Sequence, residues 1–258
     1  MRQKTFVFLG TFLLSLGLWS NFSELVKAQS EGDVPDELSE IVTDIETAAN
    51  DKDLDRLMDY YDDNFTSEDG LTNNSVRLAL QRMWSDYPQL NYDTEITSWE
   101  QEGDRLIAET TTKITGTKNN QGVPVSLESN LKSRQYFQDQ KLVRQEILSE
   151  ETRISKGKNP PQIQVNVPET VKVGEEYSFD TIVTEPLEGK VLLGAASEER
   201  VSGSLYLNPN ALELEPLSAG GIFKVVTAPM LSDNRWLSAI IVSGDGVTMV
   251  TRRVSIER

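Results

Sequence analysis

The residues with the greatest potential for chemistry lie between Asp53 and Gly70, a stretch that ends in the acidic pair Glu68 and Asp69. The chain contains no cysteine and no histidine. This composition excludes thiolate nucleophiles, imidazole bases and the usual zinc ligands. Any catalysis must therefore use carboxylates, tyrosine, lysine or serine, and the acidic pair is the first place to look.

The balance of charge narrows the possible partners. The formal net charge is −16, from 25 basic and 41 acidic residues. A phosphate backbone is a poor electrostatic partner for such a chain, and the sequence has no local basic cluster, so we expect no nucleic-acid binding. The acidic residues also lack the spacing of an EF-hand loop. We therefore expect no metal site and no cofactor.

The N-terminus has the pattern of a signal peptide. Arg2 and Lys4 precede an apolar run over residues 6–19, and Val26 and Ala28 are compact residues at the positions that signal peptidase reads. The run is shorter than the roughly 20 apolar residues of a membrane-spanning helix. We predict a signal peptide at 1–28, a polar leader at 29–34, and export to the periplasm or thylakoid lumen without a membrane anchor after cleavage.

Three short helices are predicted to position the acidic pair. In the second of them, Leu54, Leu57, Met58 and Tyr61 repeat at helical spacing and form one apolar face. The pattern predicts that this helix ends at Asp62 and that a turn over residues 62–64 returns Phe65 to the interior. The other two helices are predicted to start at Asp36 and at Thr72 or Asn73, the latter ending before Pro88.

From Gln89 the apolar period changes from that of a helix to the two-residue alternation of a strand. Polar turns separate four such segments, which predict an antiparallel meander. Helices followed by a meander indicate an α+β domain with the helices on one face of the sheet. The predicted strands run over residues 89–101, 105–115, 123–137 and 142–148.

The element order and three motifs resemble the NTF2-like superfamily, specifically its SnoaL-like and ketosteroid-isomerase-like members. The motifs are DLD at the start of the second helix, YYDDNF at its end, and the strand pair RQYFQDQKLVRQEI. The resemblance covers roughly residues 35–152. It implies a cone in which a curved sheet wraps the helices and leaves a pocket at its wide end.

The same resemblance suggests one enzymatic role. It places Asp69 where ketosteroid isomerases carry a catalytic base, a carboxylate suited to moving a proton beside a carbonyl. Such a base needs a donor for the developing oxyanion, and Ile45 stands where those enzymes have a tyrosine. The alternative hypothesis is therefore catalysis by Asp69 with a tyrosine as the donor, Tyr61 or else Tyr92 or Tyr136, while no catalytic residue is favoured. The predicted pocket residues are Tyr61, Phe65, Asp69, Trp84, Tyr92 and Gln135.

The second half of the chain has an all-β pattern. Gly157, Pro160 and Pro161 predict a linker over residues 153–162. Many short strands at regular spacing then predict an immunoglobulin-like β-sandwich over residues 163–258, without a disulfide. The segments LSAGGIFKV, APMLSDNRWLSAIIVSGDG and MVTRRV resemble a C-terminal module of exported cyanobacterial proteins.

Three functions are compatible with these observations. The favoured one is an exported, non-catalytic binding or assembly protein for a small apolar molecule or another exported protein. The second is a proton-transfer enzyme with Asp69 as its base. The third is a structural protein that forms a homodimer through the sheet of the first domain.

Overall fold

The computed structural model of the protein describes residues 33–187, 189, 191–217 and 219–258. The signal peptide predicted at 1–28 lies outside the described residues. Among those that are described, no helix is both long enough and apolar enough to cross a membrane.

The three predicted helices are present. They are α1 (Asp36–Asp51), α2 (Leu54–Asp59) and α3 (Asn73–Asp86). Side chains fix the starts of the last two. The Asp53 carboxylate accepts the backbone N–H of Arg56 at 3.1 Å, and Thr72 forms a reciprocal capping box with Ser75. A fourth helix, α4 (Gly203–Leu207), was not predicted from the sequence.

The strands of the described residues are β1 (Tyr61–Ser67), β2 (Gln89–Glu102), β3 (Arg105–Asn120), β4 (Val123–Gln138), β5 (Lys141–Gly157), β6 (Ile163–Asn166), β7 (Thr170–Lys172), β8 (Glu176–Val183), β9 (Leu192–Arg200), β10 (Glu215–Leu217), β11 (Gly221–Thr227), β12 (Asp233–Val242) and β13 (Gly246–Glu257).

The predicted fold class, an α+β cone followed by a separate immunoglobulin-like sandwich, is wrong. The chain is mostly strand, and one sheet runs through both halves in the order β10-β9-β12-β13-β5-β4-β3-β2. Strands β1 and β7 join this sheet beside β5 and β13, which brings it to ten strands among the described residues. Strands β11, β8 and β6 form a second, smaller sheet.

Strand β5 is the reason that the two halves share a sheet. It pairs with β4 along one edge and with β13 along the other, from Glu151 opposite Arg252 to Gly157 opposite Gly246. The sequence predicted that this strand ends at Leu148. Residues 153–157 of the predicted linker are instead strand, so the C-terminal strands extend the sheet that the meander begins.

Gly157 makes this pairing sterically possible. Its φ is +117°, and a Cβ atom there would lie 2.5 Å from the carbonyl oxygen of Asp245. A Cβ atom on Gly246 would likewise lie 2.5 Å from the carbonyl oxygen of Lys156. Glycine here permits a close approach of two strands, whereas the sequence pattern suggested that it interrupts regular structure.

The second helix also ends earlier than predicted. It stops at Asp59, and Tyr61 begins β1, which runs parallel to β5. The carboxylate of Asp62 accepts the N–H of Asn64 at 2.8 Å, and the strand register is irregular between Tyr61 and Thr66. The polar cluster therefore forms an Asx-type kink within a strand instead of a turn between elements.

In the C-terminal half of the large sheet, the small sheet packs against one face and the segment that contains α4 lies against the other. Leu237 and Ile241 of β12 are fully buried and pack with Phe179 of the small sheet. Successive residues of a strand point to opposite faces. Trp236 and Ser238 therefore lie on the other face, which α4 and the segment after it cover.

Candidate functional site

Asp69 follows β1 and is buried, with 8% of its surface exposed. Both of its carboxylate oxygens are occupied. Nη1 and Nη2 of Arg253 donate to Oδ1 and Oδ2 at 2.9 and 2.6 Å, and the hydroxyl of Tyr206 donates to Oδ2 at 2.9 Å. The residue that the sequence singled out as a possible base is thus held in a bidentate ion pair, and its tyrosine partner is Tyr206 instead of Tyr61.

Four elements meet to build this cluster. Arg253 lies on β13 directly opposite Trp236 of β12, and Tyr206 lies on α4. The backbone oxygen of Asp69 accepts the N–H of Gly203 at 2.6 Å, which fixes the start of α4 against the first half of the chain. Residues that are 184 positions apart in the sequence are therefore joined in one buried contact.

Glu150 of β5 extends the cluster. Its Oε2 accepts the indole N–H of Trp236 at 2.8 Å and lies 3.6 Å from Nη2 of Arg253. The rings of Tyr206 and Trp236 meet edge to face, with centroids 4.7 Å apart. Two carboxylates thus share a single guanidinium, and Asp69 has the shorter and bidentate contact.

Burial governs the protonation of these groups. It raises the pKa of Glu150, and the nearby Arg253 only partly opposes that effect. Burial also raises the pKa of the Tyr206 hydroxyl, as do the charges of Glu150 and Asp69. For Arg253, burial is the largest effect and disfavours the charge, but the hydrogen bonds to Asp69 and the nearby charges of Asp69 and Glu150 together outweigh it, so its pKa is raised.

A cavity of about 310 Å³ opens beside this cluster, between the sheet and the segment that contains α4. We call it the α4 cleft. Its volume is at the lower end of the roughly 300–1,000 Å³ typical of small-molecule sites. The lining residues are Glu150, Thr152, Ser197, Glu199, Leu205, Tyr206, Pro209, Asn210, Leu212, Trp236, Ser238, Met249 and Thr251.

Four of the predicted pocket residues, Tyr61, Phe65, Trp84 and Tyr92, lie in the core around α1, α2 and α3. Tyr61 and Phe65 are in edge-to-face contact at 4.9 Å, and Phe65 is 1% exposed. The indole N–H of Trp84 donates to the hydroxyl of Tyr92 at 2.9 Å. Gln135 is partly buried on β4, opposite Gln145 of β5. The structure therefore forms two aromatic pairs from these residues and places Asp69 in a different cluster.

The two tyrosines of this group are poorly suited to titrate near neutral pH. Burial raises the pKa of Tyr61 to about 12. Burial also raises the pKa of Tyr92 to about 12, although the hydrogen bond from Trp84 acts in the opposite direction. Ile45, which stands where the resemblance would require an oxyanion donor, packs in the core near Phe65 and Tyr61.

Residues 158–257 are similar to DUF8623, a family described as a domain of unknown function. A search of curated proteins found no match. Solved structures that are similar to this chain include a SnoaL-like polyketide cyclase from Agrobacterium tumefaciens (20% identity, 43% of this chain and 88% of that chain, TM-score 0.32). A second is a SnoaL-like polyketide cyclase from Shewanella putrefaciens (12% identity, 45% of this chain and 90% of that chain, TM-score 0.34). A third is Bd1075 from Bdellovibrio bacteriovorus (17% identity, 43% of this chain and 38% of that chain, TM-score 0.32). The chain therefore spans well under half of the length of Bd1075.

Proposed function

We propose that this protein is an exported, non-catalytic binding protein and that the α4 cleft is its ligand site. The proposal joins two observations. The first is the occupied carboxylate of Asp69, and the second is the cavity that lies against the same buried cluster.

The hydrogen bonds that the Asp69 carboxylate already accepts are the observation that supports a non-catalytic function. A general base must be free to accept a proton from a substrate within hydrogen-bond reach. Asp69 already accepts three hydrogen bonds, two from Arg253 and one from Tyr206. Taking a proton would break these contacts and leave the buried Arg253 with only Glu150 nearby. Asp69 is therefore better suited to hold the fold together than to move a proton.

The assay is deuterium exchange at the carbon next to the carbonyl of simple cyclic ketones, followed by NMR. We expect the wild-type protein and Asp69→Asn to give the same exchange as buffer. Tyr206→Phe, which frees one lone pair of Asp69, should also leave exchange unchanged. Exchange that is present in the wild type, retained in the neighbouring control Glu68→Gln and lost in Asp69→Asn would refute the proposal.

Export is a separate part of the proposal, and it rests on the N-terminal sequence alone. We propose that residues 1–28 are removed and that the mature chain functions in the periplasm or thylakoid lumen. N-terminal sequencing of the protein from its native host should begin at Gln29. An intact Met1 in the mature protein would contradict this.

A further inference from the structure

We infer that the α4 cleft binds a small organic cation, an ammonium or amidinium group carried on an apolar body. This inference rests on the proposed binding function and adds the chemical class of the ligand. It follows from the charges, the apolar surface and the polar groups of the cleft.

The charge balance of the cleft is incomplete. Glu150 and Glu199 line it, and none of the described residues that line it is lysine or arginine. Arg253 is the cation nearest to Glu150, but it lies at 3.6 Å and makes its bidentate contact with Asp69 at 2.9 and 2.6 Å. Asp69 and Glu150 thus share one guanidinium, so these three side chains contain one more carboxylate than cations. Burial raises the pKa of Glu150, and a positively charged ligand would both complete the balance and favour the charged carboxylate.

The rest of the lining suits an apolar body beside that charge. Tyr206 and Trp236 stand next to Glu150, and aromatic faces attract cations in addition to packing against apolar groups. Leu205, Leu212 and Met249 supply further apolar surface. An anionic ligand would meet two carboxylates here, and a fully polar ligand would leave these side chains without a partner.

Two polar groups of the cleft are candidate contacts for a ligand. Glu150 uses Oε2 for its contacts with Trp236 and Arg253, and its side chain is 12% exposed. The hydroxyl of Ser197 is buried without a hydrogen bond. An ammonium or amidinium group has several N–H donors and can bond to the Glu150 carboxylate, and the apolar body of the ligand can extend towards Ser197.

The test compares two probes of equal size, 2-phenylethylamine, which is a cation at neutral pH, and 2-phenylethanol, which is neutral. Binding to the mature protein is measured by NMR titration. We expect the amine to bind roughly tenfold more tightly than the alcohol, which corresponds to about 1.4 kcal/mol. Glu150→Gln should weaken amine binding roughly fivefold and leave alcohol binding unchanged, and Glu199→Gln, three strands away on β9, should weaken it less.

The matched control is Glu198→Gln. Glu198 is the next residue on β9 and pairs with Leu237, so it lies on the opposite face of the sheet. This variant should bind the amine as the wild type does. Equal binding of the two probes, unaffected by Glu150→Gln, would overturn the cationic class while leaving a binding function in place. Absence of binding by either probe would overturn the inference outright, and the exchange assay on Asp69 would still decide the non-catalytic function independently.

Discussion

The substitution Asp69→Asn tests the proposed structural role of the buried ion pair. The side chains of Asp69 and Arg253 are 3% and 1% exposed. Asparagine keeps the size of Asp69 but removes its charge, and its amide would direct N–H donors at a guanidinium that has no use for them. Breaking a buried pair by removing one partner costs about 3–5 kcal/mol, because the remaining charge is left uncompensated.

Thermal unfolding followed by circular dichroism measures the effect. For a chain of this size, about 2–4 °C of melting temperature is lost per kcal/mol, so Asp69→Asn should melt roughly 6–20 °C lower. Glu68→Gln, one residue away and exposed, should change the free energy of unfolding by no more than about 0.5 kcal/mol.

A double-mutant cycle separates the ion pair from general damage. Arg253→Met alone leaves Asp69 and Glu150 buried without a cation, whereas combining it with Asp69→Asn removes one of those charges. The two substitutions should therefore couple by about 1–3 kcal/mol. Additive effects, or an Asp69→Asn protein as stable as the wild type, would refute the structural role of this pair.

Three further predictions concern the elements around the site. Gly157→Ala should destabilise the protein by more than about 1–3 kcal/mol in denaturant titrations, because it combines a positive φ with a 2.5 Å clash. The control is Gly122→Ala, which should cost less because its φ is also positive, at +86°, but no atom lies within 4 Å of its Cβ position. Tyr206→Phe should cost about 0.5–1.5 kcal/mol, since it removes the hydrogen bond to Asp69 but keeps the ring on Trp236; no change in unfolding would count against that bond. Because burial raises the pKa of Glu150, its contribution to stability is greatest below the ordinary carboxyl pKa and is lost as pH rises through the raised value. The melting temperature of Glu150→Gln relative to wild type should therefore rise between about pH 4 and pH 8, and a flat difference would contradict the raised pKa.

The sequence predicts the local elements well where one period dominates. The apolar repeat of α1 and the alternation in β2 to β4 each depend on neighbouring residues, which a sequence displays directly. The predicted end of the second helix was wrong because Tyr61 satisfies the helical spacing of α2 although it belongs to β1. The linker predicted around Gly157 was wrong because a sequence does not show the partner strand. Without that strand, a glycine that interrupts a strand cannot be distinguished from one that allows two strands to approach closely.

The cluster around Asp69 could not be predicted because it depends on the register of distant strands. Arg253 meets Asp69 only because β13 pairs with β5, and that pairing sets Arg253 next to Glu150. One signal was present in the sequence. In β13 the apolar residues Val250 and Val254 share the face that packs on the small sheet, which leaves Thr251 and Arg253 on the other face, where a buried arginine requires a carboxylate partner.

We propose that the α4 cleft holds a small molecule without converting it. Mass spectrometry of small molecules released from the mature protein, purified from its native host, tests this when compared with Met249→Trp, which replaces a linear side chain of the cleft by a bulky indole. We predict a cationic compound in the wild type, chemically unchanged after incubation, and its loss from Met249→Trp. A compound that is converted during incubation, or one that is retained equally by both proteins, would contradict the claim.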